Sequence, residues 1–163
     1  MIFLMEVKKF KKMKTEKKRN QMIGLGRKGL SAKLHLALST GRIQSACLSE
    51  GQRVDMKVFS KLWELGKWSG IRYVIADKGY DYSAVRTLIK KAKRIPVIPR
   101  RANAIFPGLQ DIYKPYYRTR SSIERFFGRI KENKRLALRF DKLAHTFFSF
   151  FALAAIKSLC LIC

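Results

Sequence analysis

The stretch from Ile71 to Ile98 reads IRYVIADKGYDYSAVRTLIKKAKRIPVI and carries the main sequence evidence for the fold. It begins with a continuous apolar run, Ile71 to Ala76, which is typical of a strand buried on both faces. A turn, DKGYD, follows, and Asp81 is in place to cap a helix over YSAVRTLIKKAK. The segment that begins at Ile95 is a second short strand. This strand–helix–strand order predicts an α/β layer with a parallel pair of strands.

Upstream of this unit the sequence predicts a hairpin and then a helix. Residues 33–39 (KLHLALS) and 43–49 (IQSACLS) flank a turn with the sequence TGR. Asp55 then opens an amphipathic helix, MKVFSKLWELGKW, whose apolar residues recur near helical spacing. The lysine-rich residues 1–21 are expected to form a basic, flexible N-terminal arm. Residues 22–163 are expected to form a single domain.

Downstream, the sequence predicts a loop and then a pair of helices. All four prolines fall between Pro96 and Pro115, which indicates an edge or bent strand followed by a loop. A long helical pattern begins after Pro115, and a second, apolar helix ends the chain. The run from Thr146 to Cys163 is expected to be a buried helix. A membrane-associated segment is the alternative, although Lys157 and two serines interrupt the run.

The composition describes a folded and strongly basic chain. Apolar residues make up 47% of it, and 36 basic residues against 11 acidic ones give a formal net charge of +25. This charge predicts a polyanionic partner, nucleic acid first and an anionic membrane surface second. The chain has three cysteines, Cys47, Cys160 and Cys163. Their odd number and wide spacing argue against a disulfide framework and favour a reducing compartment. The C-x-x-C of the last two lacks a second pair that would complete a zinc site.

Asp77 is the first candidate functional residue, because it directly follows the apolar strand. In open α/β sheets, ligands collect beyond the carboxyl ends of the strands. Gly79 allows a sharp turn at this point. Asp81 has a competing structural role as a helix cap, so Asp77 is the better candidate. The alternative is that Asp77 is a simple turn acid.

Glu124 is the second candidate, and it stands alone among cations in YRTRSSIERFFGRIK, residues 117–131. On a helical wheel with 100° per residue, Glu124 shares a narrow stripe with Tyr117, Arg120 and Lys131. The adjacent face is apolar and predicts the core side of the helix: Ile123, Phe126, Phe127, Ile130 and Ala137. The alternative for Glu124 is an ordinary salt-bridge ladder with residues one turn away, which contributes only a few tenths of a kcal/mol per pair.

Two carboxylates that converge from a strand end and a later helix suit one kind of chemistry. Mg²⁺ prefers hard oxygen ligands and keeps part of its hydration shell. Arginine and lysine side chains around such a site would hold phosphates. The pattern therefore predicts metal-assisted phosphoryl transfer on a nucleic-acid backbone.

The sequence also resembles a known family, the DDE transposases of bacterial insertion sequences, in particular the insertion-sequence-five group. The resemblance rests on IGLGRKGLSAKLH, GQRVD, VIADKGYDYSAVR, PVIPRR, YYRTRSSIERFFGRIKENKRLALRFDKLA and FALAAI. It covers about residues 22 to 157. Its most specific element is the signature Tyr-x2-Arg-x3-Glu-x6-Lys, which is matched at Tyr117, Arg120, Glu124 and Lys131.

The resemblance implies a ribonuclease H-like fold, with a mixed sheet flanked by helices. It implies that Asp77 and Glu124 are the second and third acids of a catalytic triad that binds two divalent cations, Mg²⁺ or Mn²⁺. Tyr117, Arg120 and Lys131 would contact DNA or position Glu124. The implied activity is cleavage of transposon ends and their joining to target DNA. The implied partners are DNA and further copies of the chain, with no small-molecule substrate, in the bacterial cytoplasm at the nucleoid.

The chain departs from the family pattern at the first acid of the triad. No Asp or Glu occurs between Lys17 and Ser49, and only Glu6 and Glu16 precede that stretch. The sheet is therefore expected to lack its first central strand, with Glu6 in MIFLMEV as a less favoured substitute, and the chain is expected to be an incomplete copy. The alternative function is a non-catalytic, basic DNA-binding remnant of a transposase. A basic membrane-associated peptide is a third, weaker interpretation.

Overall fold

The computed structural model describes residues 2–9, 21–26, 29–39 and 41–160. Four strands come first, and helices and short strands follow them. The strands are β1 (Ile2–Lys9), β2 (Gly24–Gly26), β3 (Gly29–Ser39), β4 (Arg42–Glu50), β5 (Tyr73–Ile75), β6 (Ile95–Val97) and β7 (Leu138–Arg139). The helices are α1 (Asp55–Leu65), α2 (Ser83–Lys91), α3 (Lys114–Arg118), α4 (Ser121–Glu132), α5 (Lys134–Ala137) and α6 (Ala144–Cys160). The predicted α/β class is confirmed.

Strand β3 organises a five-stranded mixed sheet. It pairs antiparallel with β1, with β2 and with β4, and β1 pairs in parallel with β7 on its other side. The β3–β4 pairing is the hairpin that the sequence predicts. In the β1–β3 register, Glu6 lies opposite Lys33 and Leu4 lies opposite His35.

Strands β5 and β6 form a separate two-stranded parallel sheet, in which Tyr73 pairs with Ile95 and Ile75 with Val97. Helix α2 makes the crossover between them, as the strand–helix–strand pattern predicts. Pro96 sits within β6, where its missing N–H is tolerated because the sheet has only two strands. The parallel pair predicted from the sequence is confirmed, although it does not join the larger sheet.

The larger sheet has a hydrophobic core on each face, because residues alternate between the faces of a strand. Leu34, Leu36 and Leu38 face helices α4, α5 and α6 across a cluster that includes four residues of α4: Ile123, Phe126, Phe127 and Ile130. Ala37 and Cys47 face the opposite side, where they pack with α1, β5 and α2. Covering both faces explains why β3 is buried along most of its length.

The N-terminal segment differs from its prediction. Residues 2–9, predicted as part of a flexible basic arm, form β1 between β3 and β7. The expectation of a sheet without a strand in this position is therefore wrong. The apolar, β-prone run IFLMEV is long enough to pair with seven residues of β3. Residues 10–20 of the predicted arm lie outside the described residues, and for them flexibility stays a prediction.

Asp81 does not cap α2. The residue before the helix is Tyr82, and no side chain caps the helix at that end. The Asp81 carboxylate instead accepts hydrogen bonds from the Arg86 side chain and from the backbone N–H of Arg101. An arginine partner in the first turn of α2 competes successfully for the carboxylate, since a charged donor forms a stronger bond than a backbone amide.

The long helix predicted after Pro115 is interrupted. It is divided into α3, α4 and α5, and the N–H groups of Thr119 and Arg120 bond to carbonyls three residues back, as in a 3₁₀ turn. The backbone of both residues stays in the right-handed helical region, so the stripe predicted from the wheel largely survives. At the far end, the Asn133 side chain accepts a hydrogen bond from the N–H of Arg135 and begins α5.

Helix α6 packs against the larger sheet through Phe147, Phe151 and Ala155, and leaves Leu153 and Ile156 exposed. The predicted burial of this helix is confirmed on one of its faces. Among the helices in the described part of the chain, none combines the length and apolar character needed to cross a bilayer. The end of the predicted apolar run, including Cys163, lies outside the described residues.

Candidate active site

Asp77 lies two residues beyond Ile75, the last residue of β5, and so close to the strand end at which the sequence predicts it. Its carboxylate accepts a hydrogen bond of 2.7 Å from the N–H of Lys78 and so begins a 3₁₀ turn over Lys78–Tyr80. This bond is the structural role expected of a turn acid. It leaves other carboxylate lone pairs unused, and 48% of the side chain is exposed to solvent. Asp77 is therefore available to a ligand as well.

Helix α4 brings Glu124 towards Asp77. Arg120 lies between the two acids: its Nη2 is 2.9 Å from Glu124 Oε1, and its Nη1 is 4.0 Å from Asp77 Oδ1. Like charges repel, and a cation placed between two carboxylates reduces that repulsion. The guanidinium of Arg120 provides that charge. The structure thus brings together the two acids that the sequence singled out.

Tyr117 completes this group. The guanidinium carbon of Arg120 lies 5.5 Å from the centre of the Tyr117 ring. Burial raises the pKa of the Tyr117 hydroxyl above its ordinary value, and the negative charges of Asp77 and Glu124 add to the rise. Arg120 opposes both effects. The hydroxyl is therefore protonated at neutral pH and can donate a hydrogen bond beside two carboxylates.

Lys131 lies apart from the other signature residues. It is exposed in the last turn of α4, seven residues beyond Glu124, which corresponds to about 10 Å along the helix axis. The structure therefore clusters Tyr117, Arg120, Glu124 and Asp77, and it places Lys131 farther along the same surface. A ligand that contacted all five residues would have to be extended.

The alternative interpretation of Glu124, a salt-bridge ladder along the helix, holds for one pair of residues. Arg120 and Glu124 do form an ion pair one turn apart, as a ladder would. Both side chains remain partly exposed, 28% for Arg120 and 47% for Glu124, so the pair contributes little to stability. A ladder does not account for the approach of Asp77, which comes from a different element. The convergence on Arg120 is the feature that a helical wheel could not predict.

The donor set fits a hard divalent cation. Carboxylate oxygens are the ligands that Mg²⁺ prefers, and one or two carboxylates with retained waters are sufficient. Asp77 and Glu124 are each about half exposed, which leaves room for those waters. Within the described residues, however, no group of three or more His, Cys, Asp or Glu side chains is placed to hold a metal.

A buried polar network fixes the turn that carries Asp77. His35 on β3 is fully buried, with its Nδ1 3.3 Å from Tyr80 Oη and its Nε2 2.7 Å from Ser49 Oγ. Tyr80 belongs to the 3₁₀ turn that begins at Asp77. Burial, together with the nearby charge of Lys33, lowers the pKa of His35 to about 3. The imidazole is therefore neutral, and one ring nitrogen can accept from Tyr80 while the other donates to Ser49.

This network was not predicted from the sequence. A signal was available, because Lys33 and His35 occupy alternate positions in an otherwise apolar strand, and polar side chains on a buried face require partners. Lys33 pairs with Asp55 at 3.1 Å and joins β3 to the start of α1. Naming the partner of His35 would have required the tertiary fold, since Tyr80 lies on a different element.

The sequence profile of the transposase DDE domain family matches residues 4–159, so the chain belongs to that family. A Brucella ovis protein named as a transposase for the insertion sequence element IS6501 is 35% identical over 89 residues. The matched stretch covers 52% of this chain and 65% of that relative, which is less than two thirds of its length. No solved structure was found to match the chain.

Proposed function

We propose that the chain acts in DNA transposition, as the catalytic part of a transposase that cuts DNA strands and joins them to a target. The observation that carries this proposal is the convergence of Asp77 and Glu124 on Arg120, within a chain of the DDE transposase family. The antiparallel order β4–β3–β1, with helices on both faces, supports a ribonuclease H-like fold. Further copies of the chain and DNA at the bacterial nucleoid are the proposed partners.

Asp77 and Glu124 are the proposed ligands of Mg²⁺ or Mn²⁺. Such a cation, when bound, would polarise a phosphodiester and stabilise the charge that develops on its oxygens. Tyr117 holds a proton beside the carboxylates and can donate it in a hydrogen bond to a phosphate oxygen. Arg120 can turn its guanidinium towards the same phosphate, because a planar fork suits two oxygen acceptors. Lys131 would contact the strand farther along.

Glu124→Gln tests the catalytic assignment. The amide keeps the shape of the side chain but lacks the negative charge that a metal ligand requires. We expect loss of Mg²⁺-dependent cleavage at the ends of the element, assayed with the chain supplemented by the N-terminal part of an intact family member. We also expect weaker Mn²⁺ binding, measured by calorimetry on the chain alone. Glu132→Gln, in the exposed last position of the same helix, is the matched control and should change neither.

A Glu124→Gln variant that cleaved DNA and bound Mn²⁺ like the wild type would refute the assignment.

A second candidate function, a DNA-binding protein without catalysis, is favoured by a different observation. The described residues offer only two converging carboxylates, while the whole chain carries a net charge of +25. Strong DNA binding by a supplemented chain that never cleaves, with or without Glu124, would support this second function.

A further inference from the structure

A groove of about 560 Å³ lies between α2, β6 and the segment 99–113 that follows β6. Its volume is within the range of about 300–1,000 Å³ that is usual for small-ligand sites, so it can hold a nucleotide-sized group. Four cationic residues contribute to its wall: Arg86, Lys90, Arg94 and Arg100. All the lining residues lie in the described range 41–160, and none of them is an Asp or Glu. We call this feature the α2–β6 groove.

The positive charge of the α2–β6 groove is only partly compensated. Arg86 pairs with Asp81 at 2.7 Å and also donates to the carbonyl of Ile98. Arg94 donates to the carbonyl of Ile71 through one guanidinium nitrogen, while its buried Nε has no hydrogen-bond partner among the described residues. A neutral carbonyl does not cancel its charge. Lys90 is exposed on α2, so an excess of positive charge remains for an anion.

Two aromatic residues line the same groove as these cations. Phe106 lines the α2–β6 groove and is 83% exposed to solvent, and Tyr113 lines it farther along the chain. The backbone of the loop that carries Phe106 is closed by two hydrogen bonds between Arg100 and Gly108, of 2.6 and 3.2 Å. Gly108 has a φ of +87°, which a residue with a Cβ adopts only with strain. The closed loop thus carries the ring at a groove that the cations also line.

We propose that the α2–β6 groove binds an unpaired stretch of a DNA strand, with a base stacked on Phe106 and the adjoining phosphates held by Lys90 and Arg100. Single-strand sites combine cations that follow the backbone with aromatic rings on which bases stack. Bases within a duplex are already stacked on each other and cannot use such a ring. The inference rests on the proposed function, since a transposase substrate supplies the strand. Arg86, which lines the groove, forms an ion pair with Asp81, and Asp81 lies four residues after Asp77 of the candidate active site.

Phe106→Ala tests the stacking. The probe is a fluorescently labelled single-stranded oligonucleotide, and anisotropy is measured in EDTA so that the metal ligands play no part. We expect binding to weaken about tenfold, with duplex binding unchanged. The fold should be unaffected, because the Phe106 ring is largely in solvent. Leu153→Ala removes a similarly exposed apolar side chain, 63% accessible on α6, and should leave both affinities unchanged.

Lys90→Ala and Arg100→Ala test the phosphate contacts. Each should lower the dependence of log K on log salt for the single strand by about 0.7. Lys61→Ala removes an exposed charge from α1 and is the matched control. An oligonucleotide containing 2-aminopurine gives an independent measure, since its fluorescence is quenched when the base stacks on a ring. Quenching should occur with the wild type and be lost in the Phe106 variant.

Each remaining outcome has a separate meaning. Groove variants that bind single strands like their controls would overturn the inference and leave the proposed function intact. Equal losses on single strands and duplexes would also overturn it, because the groove would then read only the backbone. A wild-type chain that bound no DNA of either form would overturn the inference and the proposed function together. Loss confined to single strands, with the Glu124 variant unaffected in EDTA, supports a site distinct from the two acids.

Discussion

Arg120 is the residue that gives the two acids a common site. Its ion pairs with Asp77 and Glu124 are partly exposed, so they add little to the free energy of unfolding. Their main effect is electrostatic, because a guanidinium between two carboxylates lowers the repulsion that would otherwise separate them. Arg120 therefore acts as a positioning residue for the acids in the structure described here, whatever it contacts when DNA is bound.

His35 makes a prediction about pH. Its pKa is lowered to about 3 in the folded chain, mainly by burial, against about 6.5 in an unfolded one. Between these values the unfolded chain binds a proton at this residue and the folded chain does not. Stability should therefore fall as the pH falls from 6.5 towards 3, by about 1.4 kcal/mol per pH unit at most. Urea unfolding at a series of pH values measures this slope.

The matched variants are His35→Gln and His145→Gln, since His145 is the exposed histidine at the start of α6. Removing His35 should lower the overall stability, because Tyr80 and Ser49 lose a partner. It should also remove the part of the pH dependence of stability that His35 contributes between pH 6.5 and about 3. Removing His145 should leave that slope in place. A slope that persisted in the His35 variant and vanished in the His145 variant would show that the wrong histidine had been assigned.

At the scale of elements, Asp81 joins three parts of the chain. Its carboxylate binds Arg86 on α2 and the backbone N–H of Arg101 after β6, and it follows directly on the 3₁₀ turn that begins at Asp77. Burial alone would raise the pKa of Asp81, but the hydrogen bonds from Arg101 and Arg86 outweigh it and hold the pKa below its usual value. Asp81 thus connects the turn that carries Asp77 with α2 and with the segment after β6, both of which border the α2–β6 groove.

Asp81→Asn should lower the free energy of unfolding by about 2 kcal/mol at neutral pH, because it leaves Arg86 without its counter-charge. The wild type should lose the same stabilisation in acid. The folded pKa lies below the unfolded one, so the contribution is present above about pH 4 and declines as the pH falls towards the folded pKa. Asp111→Asn is the control, since its pair with Lys114 is largely exposed and should be silent in denaturant unfolding. Equal effects of the two substitutions would contradict this role for Asp81.

Local patterns in the sequence predicted most of the helices and strands, but beyond the β3–β4 and β5–β6 pairs they did not predict which of these pack or pair with one another. The β3–β4 hairpin, α1, the β5–α2–β6 unit and the buried face of α4 all follow from periodicity or turn residues over short windows. The place of β1 does not, because IFLMEV predicts a strand only when β3 is there to pair with it. The misassigned Asp81 cap has the same cause. A cap is a local interaction, whereas the Asp81 carboxylate binds Arg86 and also the N–H of Arg101, which lies twenty residues away and comes near only on folding.

The same distinction applies to the candidate active site. The spacing of Tyr117, Arg120 and Glu124 placed them on one helical stripe, and the structure brings all three together. Asp77 was identified by its position after a strand, but no local rule gives its distance to Arg120. The His35–Tyr80 contact was missed for that reason too. The sequence therefore identified the charged residues Asp77, Arg120 and Glu124, but only the folded structure shows that Asp77 approaches Arg120.

At the scale of the whole molecule, the net charge of +25 dominates the behaviour expected towards DNA. Binding should depend steeply on salt, because each phosphate contact releases counterions. If about six contacts form, affinity for duplex DNA should fall roughly a thousandfold between 50 and 200 mM salt. Gel-shift or anisotropy titrations at several salt concentrations measure this. A methylphosphonate duplex, whose backbone is uncharged, is the control and should bind weakly at every salt concentration.

Salt-independent affinity for natural DNA would rule out a binding mode dominated by phosphate contacts. It would direct attention to the apolar surfaces of the chain, such as the exposed side chains of α6. The two functions proposed for the chain share the salt dependence, since both require DNA binding. They differ in their need for Glu124, which is why the cleavage assay and the salt titration are complementary.

The burial of His35 has one more consequence, which concerns the alignment of strands. Both faces of β3 are covered by apolar groups, so hydrophobicity alone distinguishes poorly between one alignment and another shifted by a residue. Such a shift would place a leucine beneath the hydroxyl of Tyr80 and leave His35 among the leucines of the opposite core. Because those unmet hydrogen bonds cost free energy, the imidazole of His35 favours the observed register of β3 over the shifted one. Asp77 begins the 3₁₀ turn that contains Tyr80. Its position therefore depends on the correct register of β3, a strand far away in the sequence.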